Sequence, residues 1–134
     1  MKNELISKIK LDEGFKGTVY KDSRGFPTIG YGTLLPITEI EAELLLEYRL
    51  DLIVQELINN KPIVVELPDE AQNILYNMAY NMGVPTLLKF KKMWRALEEE
   101  DFKTASAEME DSRWYHQVGD RAKELVQRMY NVNK

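Results

Sequence analysis

The sequence predicts an α+β fold that is mostly helical: a small N-terminal lobe with a β-hairpin or short sheet, a long connecting helix, and a helical C-terminal lobe. Two observations predict it. β-branched and aromatic residues at Thr18–Tyr20 and Thr28–Tyr31 flank Ser23-Arg24-Gly25, the pattern of a hairpin. After Pro36, apolar residues recur at three- and four-residue spacing for the rest of the chain. The expected layout is one domain over 1–134, with a hairpin lobe at 13–35, a connecting helix at 38–59 and a helical lobe at 68–134. A cleft between two such lobes is a natural ligand site.

Taken in order, Leu5, Ile6 and Ile9 mark a first short helix, and Glu13 continues their stripe four residues past Ile9. Thr38 with Glu41 has the form of a capping box. Leu46, Leu50, Ile53 and Leu57 then repeat at helical spacing until Asn59-Asn60-Lys61-Pro62 ends the helix. Pro68 suits a first helical position, and Ala71, Ile74, Leu75, Met78 and Met82 share one face after it. Gly83 and Pro85 break that helix. Phe90, Met93, Trp94 and Leu97 mark another, Phe102, Ala105 and Met109 a short one, and Ala122, Leu125, Val126 and Met129 the last.

With 134 residues, 44% of them hydrophobic, the chain can bury a sizeable core. It has no cysteine, so neither disulfides nor thiolate chemistry is open to it. The first ten residues contain no apolar run longer than Leu5-Ile6, which predicts neither a signal peptide nor a membrane span. A net charge of −4 argues against binding duplex nucleic acid.

The densest chemistry lies in residues 13 to 32. Glu13 and Asp22, held apart by a short hairpin, could act as acid and base on one glycosidic bond. A carboxylate on a buried helix face is unusual, and partial burial would give Glu13 the raised pKa that an acid needs. A structural pair with an arginine is the plainer alternative. Asp22 favours the turn on its own account, because its side chain can accept backbone amides there. Thr28 fits an ordinary strand, and its hydroxyl could also hold a water. Gly30 and Gly32 bracket Tyr31 and suggest a bulge or a close backbone approach. Arg121 is by default a solvated cation. Trp114 and Met78, Met82, Met93, Met109 and Met129 read as core, His116 as surface or capping, and Glu98 to Asp101 as a solvated helix end. A lone histidine without cysteine offers no zinc cluster, and no metal or cofactor is expected.

Two segments resemble the T-even-phage lysozymes. One is Asp12-Glu13-Gly14-Phe15, Val19-Tyr20-Lys21-Asp22 and Thr28-Ile29-Gly30-Tyr31-Gly32. The other is Asn77-Met78, Asn81-Met82-Gly83, Ser112-Arg113-Trp114-Tyr115 and Asp120-Arg121-Ala122. The resemblance implies a muramidase that cleaves the β-1,4 bond between N-acetylmuramic acid and N-acetylglucosamine with inversion. It makes Glu13 the general acid, Asp22 the base or electrostatic partner, Thr28 the water-positioning hydroxyl and Arg121 the partner of Glu13. Leu34, Tyr80 and Asn81 fall at or beside positions that line the sugar cleft. The implied substrate is bacterial peptidoglycan. The implied enzyme is a monomer that waits in the host bacterial cytoplasm and reaches the wall through a holin, without inserting into the membrane. Thr33 replaces a histidine found in relatives, Met93 and Glu108 replace polar cleft residues, and the segment from Leu35 to Thr38 is short. A lytic transglycosylase and a catalytically silent wall-binding module are the alternative functions.

Overall fold

Residues 1–133 are described by a computed structural model, in which two compact units divide the chain, Met1–Leu45 and Leu46 onward. The first unit opens with helix α1, Lys2–Glu13, which carries an i,i+4 ion pair from Lys8 Nζ to Asp12 Oδ1 at 2.9 Å. Gly14 ends it at φ 72°, with its amide donating to the Lys10 carbonyl. A buried face on this helix was expected from Leu5, Ile6 and Ile9. Instead every residue of α1 is exposed.

Strands β1 (Lys16–Lys21) and β2 (Pro27–Gly30) form the expected hairpin, and a short β3 (Thr33–Leu34) extends it into an antiparallel sheet of order β1-β2-β3. The sequence pattern missed β3, because two residues are too few to show alternation. The β1–β2 register slips between the Lys16–Gly30 and Tyr20–Thr28 pairs, the mark of a bulge.

Thr38 and Glu41 form the capping box in full. The Thr38 amide donates to Glu41 Oε1 at 2.8 Å and the Glu41 amide donates to Thr38 Oγ1 at 3.2 Å. These bonds start α2, Glu39–Asn60, within which the division between the two units falls.

The second unit is helical. A 3-10 turn, Pro62–Glu66, leads into α3 (Asp69–Met82), α4 (Val84–Leu88), α5 (Lys91–Glu98), α6 (Phe102–Glu110), α7 (Arg113–Val118) and α8 (Asp120–Tyr130). Pro68 sits at the N-cap of α3, one residue before the helical position expected. Gly83, at φ 89°, separates α3 from α4. The sequence pattern had not resolved α4 and α7, which are shorter than two turns. Met78, Met93, Met109 and Met129 are fully buried among Leu57, Ile74, Leu75, Leu97 and Leu125. Trp94 joins them with its indole N–H donating to the Leu87 carbonyl at 2.9 Å. Among the described residues, every buried apolar side chain lies at or after Leu57, and no helix is long and apolar enough to cross a membrane.

Candidate active site

In the first unit the geometry centres on Glu13, the last residue of α1. A Cβ placed on Gly32 would lie 2.6 Å from Glu13 Oε2 and 2.7 Å from its Cδ. The carboxyl group therefore rests directly on the backbone of the β2–β3 turn. Gly32 also has φ +76°, a conformation that L side chains rarely adopt. The backbone conformation favours glycine at this position, and any Cβ there would push the Glu13 carboxyl aside. Glu13 itself is exposed, contrary to the burial anticipated for it.

Asp22 occupies the turn between β1 and β2. Its Oδ1 accepts the amides of Arg24 and Phe26, each at 2.9 Å. The Phe26 amide is the main cause holding the Asp22 carboxyl below its ordinary value, with the Arg24 amide and charge adding to it. The group is thereby kept ionised, and Oδ2 remains available for another partner. The turn preference read from the sequence is thus real, and it coexists with a free oxygen that chemistry could use.

Thr28 is the one buried residue in the first unit, at 1% exposure. Its Oγ1 donates to the Phe26 carbonyl at 2.9 Å. With that proton committed, the hydroxyl can act toward a water only as an acceptor. Thr28 pairs across the sheet with Tyr20 on one side and with Leu34 on the other, and Leu34 is itself exposed. Glu13, Asp22, Thr28 and Leu34 thus share one compact unit. Lys16 and Arg24 lie over the rings of Tyr20 and Phe26 at 4.2 Å and 5.0 Å, placing cationic charge on the same hairpin.

In the second unit Arg121, at the start of α8, is fixed by Asn77 of α3. Its Nε and Nη2 donate to Asn77 Oδ1 at 2.9 Å and 2.6 Å, and Nη2 also reaches the Asn77 carbonyl at 3.3 Å. This orients the guanidinium and leaves the Nη1 protons uncommitted. Arg121, Asn77 and Tyr80 line a cavity of about 380 Å³ with Leu46, Leu50 and Tyr76. Asn81 follows Tyr80 by about 100° around the helix and lines a different cavity, of about 440 Å³, with Arg113 and Trp114. There the indole N–H of Trp114 donates to Asn81 Oδ1 at 2.8 Å. An indole only donates, so the amide oxygen must face it and the Asn81 NH2 points away from that bond.

Sequence reasoning missed Asn77 as the partner of Arg121 and Trp114 as the partner of Asn81. Trp114 is 6% exposed and belongs to the core as expected, yet one edge of it serves Asn81. His116 is exposed in the last turn of α7, as read. Asp101 caps α6 by accepting from the Thr104 amide and hydroxyl. Among the described residues no group of three or more His, Cys, Asp or Glu is arranged to hold a metal ion.

A small three-stranded unit with two carboxylates, followed by a helical unit, is the architecture of the lysozymes. Comparison with known proteins makes the class definite. The phage lysozyme family model matches residues 10–131, and the chain belongs to that family. It is 28% identical to "Probable T4-type lysozyme 1" of Dictyostelium discoideum, over 94% of this chain and 93% of that one. It is 25% identical to "Probable T4-type lysozyme 2" of the same organism, with the same coverage. It is also 28% identical to the pre-baseplate central spike protein Gp5 of Enterobacteria phage T4, covering 91% of this chain but 27% of Gp5. Family membership gives the chain a lysozyme-like function and implies peptidoglycan as its substrate.

Proposed function

We propose that this protein is a muramidase that hydrolyses the β-1,4 bond between N-acetylmuramic acid and N-acetylglucosamine, with inversion. The observation that supports the reading is that one unit holds both Glu13, seated on the Gly32 backbone, and an Asp22 held ionised in the β1–β2 turn. Glu13 protonates the leaving oxygen. Asp22 acts through Oδ2 as the base toward water on the opposite face of the sugar, and inverting enzymes hold such carboxyls about 6.5–9.5 Å apart. Thr28 accepts a proton of that water and so orients it. Arg121, oriented by Asn77, supplies the cation that supports the Glu13 carboxylate. Leu34, Tyr80 and Asn81 contact the glycan, Asn81 through its NH2. As a phage endolysin, the enzyme waits in the host cytoplasm and acts on the wall as a monomer after a holin opens the way.

Digestion of purified peptidoglycan tests the reading. Reducing ends, with the α-anomer appearing first by NMR, are expected. Anhydro ends would assign the chain to the lytic transglycosylases, and absence of cleavage to a wall-binding module. The supporting role of Arg121 is checked by Arg121→Ala, which should lower the turnover rate. An unchanged rate removes Arg121 from the mechanism.

A further inference from the structure

The loop that seats Glu13 carries a single side chain. Ile29 pairs with Thr33 across β2 and β3, so Gly30, Tyr31 and Gly32 form the loop between them. Gly30 and Gly32 stand at φ +70° and +76° and have no side chains to hold their place. The position of the loop is therefore set by the Tyr31 ring and by the two strands that lead into it. Glu13 depends on that position, because its carboxyl rests on Gly32. Within the first unit, Glu13 makes no side-chain hydrogen bond or ion pair among the described residues.

The Tyr31 ring is gripped by residues on either side of Glu13 in the chain. Its centroid is 5.6 Å from that of Phe15, with the planes tilted by 53°. This is a favoured geometry for an aromatic pair. Lys10 Nζ lies 5.4 Å from the Tyr31 centroid, within cation–π reach. Lys10 precedes Glu13 by three residues in α1, which sets the two about 60° apart as neighbours on the helix surface. Phe15 follows Glu13 beyond the bend at Gly14, just before β1. Its own ring lies over the backbone of Gly17, where an added Cβ would come within 3.4 Å of Phe15 Cζ. Lys10, Phe15 and Tyr31 thus tie the end of α1, the start of β1 and the β2–β3 loop together around the Glu13 carboxyl. All of these residues belong to the first unit.

We propose that Tyr31 is a positioning residue for Glu13. Clasped by Phe15 and Lys10, its ring holds the Gly30–Gly32 loop against the end of α1, and Gly32 in turn fixes where the carboxyl points. The catalytic consequence rests on the glycosidase reading, which makes Glu13 the acid. The clasp itself rests only on the contacts within the first unit.

The test pairs kinetics on solubilised peptidoglycan with carbon-13 NMR of the full chain. Tyr31→Ala should lower kcat by at least about tenfold and leave KM within about twofold of the parent, because a misplaced acid costs turnover rather than binding. Tyr31→Phe keeps the ring and should keep the parent rate. Phe15→Ala should behave like Tyr31→Ala, and the double variant should lose no more than about twofold beyond either, since both act through one contact. The Glu13 side-chain carboxyl signal, assigned by its loss in Glu13→Gln, should move in both alanine variants and stay in place in Tyr31→Phe. If Tyr31→Ala does not fold by circular dichroism, Phe15→Leu, which keeps apolar bulk without a ring, should show the same changes in smaller measure. An unmoved carboxyl signal in the ring-deleted variants overturns the proposal, as does parent-like kcat in them when the parent is active. So does a raised KM at constant kcat, which would give the Tyr31 ring to the glycan. If the parent does not cleave peptidoglycan, or Glu13→Gln keeps its rate, the glycosidase reading fails, and the carboxyl signal alone decides the clasp.

Discussion

The two units of this protein are held together by different kinds of interaction. In the first, the hydrogen bonds that shape the site are local. Asp22 bonds the amides of Arg24 and Phe26, Thr28 bonds the Phe26 carbonyl, and Thr38 and Glu41 bond each other. None of these spans more than four residues, and Thr28 is the only buried residue of that unit. In the second, bonds join distant parts of the chain: Trp114 to Asn81, Arg121 to Asn77 and Arg128 to Glu70, separated by 33, 44 and 58 residues. That unit also holds the whole buried apolar core. The proposed acid and base thus stand on a scaffold set by turns and glycine, whereas packing stability resides elsewhere. Chemistry and stability should therefore separate under mutation.

The largest expected effect is on chemistry alone. Glu13→Gln should lower wall hydrolysis by about 10²–10⁴-fold, the usual contribution of a general acid. Its melting temperature should stay at the parent value, since Glu13 is exposed. A folded variant that retains more than a tenth of the parent rate removes Glu13 from the acid role.

The reverse dissociation is expected in the core. Leu75→Ala should cost about 2–5 kcal/mol in denaturant unfolding, because Leu75 is fully buried. Leu5→Ala, in exposed α1, should change stability by no more than about 0.5 kcal/mol. Equal costs for the two would show that the first unit depends on packing as much as the second.

Gly32→Ala sharpens the comparison, because it perturbs the first unit through its backbone. The added methyl would displace the Glu13 carboxyl and occupy a strained φ. A misplacement of that order should cost about 10²-fold in turnover. A parent-like rate would mean that the Glu13 position is not critical.

Trp114→Phe keeps the apolar ring and removes the donor to Asn81. It should cost about 0.5–1.5 kcal/mol of stability and raise KM more than it lowers kcat. A changed kcat with constant KM would argue that Asn81 does not bind substrate.

The smallest effect concerns acid. The folded pKa of Asp22 lies below its ordinary 3.8, so its contribution to stability is present above 3.8 and is lost as pH falls through the lower folded value. The melting-temperature advantage of the parent over Asp22→Asn should hold at neutral pH and vanish in strong acid. An advantage that grows on acidification would reverse the sign and refute the hydrogen-bonding account.

The α+β class, the hairpin, the capping box at Thr38 and Glu41, the core positions of Met78, Met93, Met109 and Met129 and the family were all legible in the amino-acid order. It also marked Glu13, Asp22 and Thr28 as candidates. These are features of local spacing, in which each residue type acts on neighbours a few positions away. It could suggest a close approach at Gly30 and Gly32, but only the folded chain shows that the Glu13 carboxyl is what lies against Gly32. It read a buried stripe in α1, but periodicity records which residues share a face and not whether anything covers that face. The bonds of Arg121 to Asn77 and of Trp114 to Asn81 emerge only in the folded chain. Partners 44 and 33 residues apart meet only because α3, α7 and α8 are brought together around one core, and no local pattern carries that information.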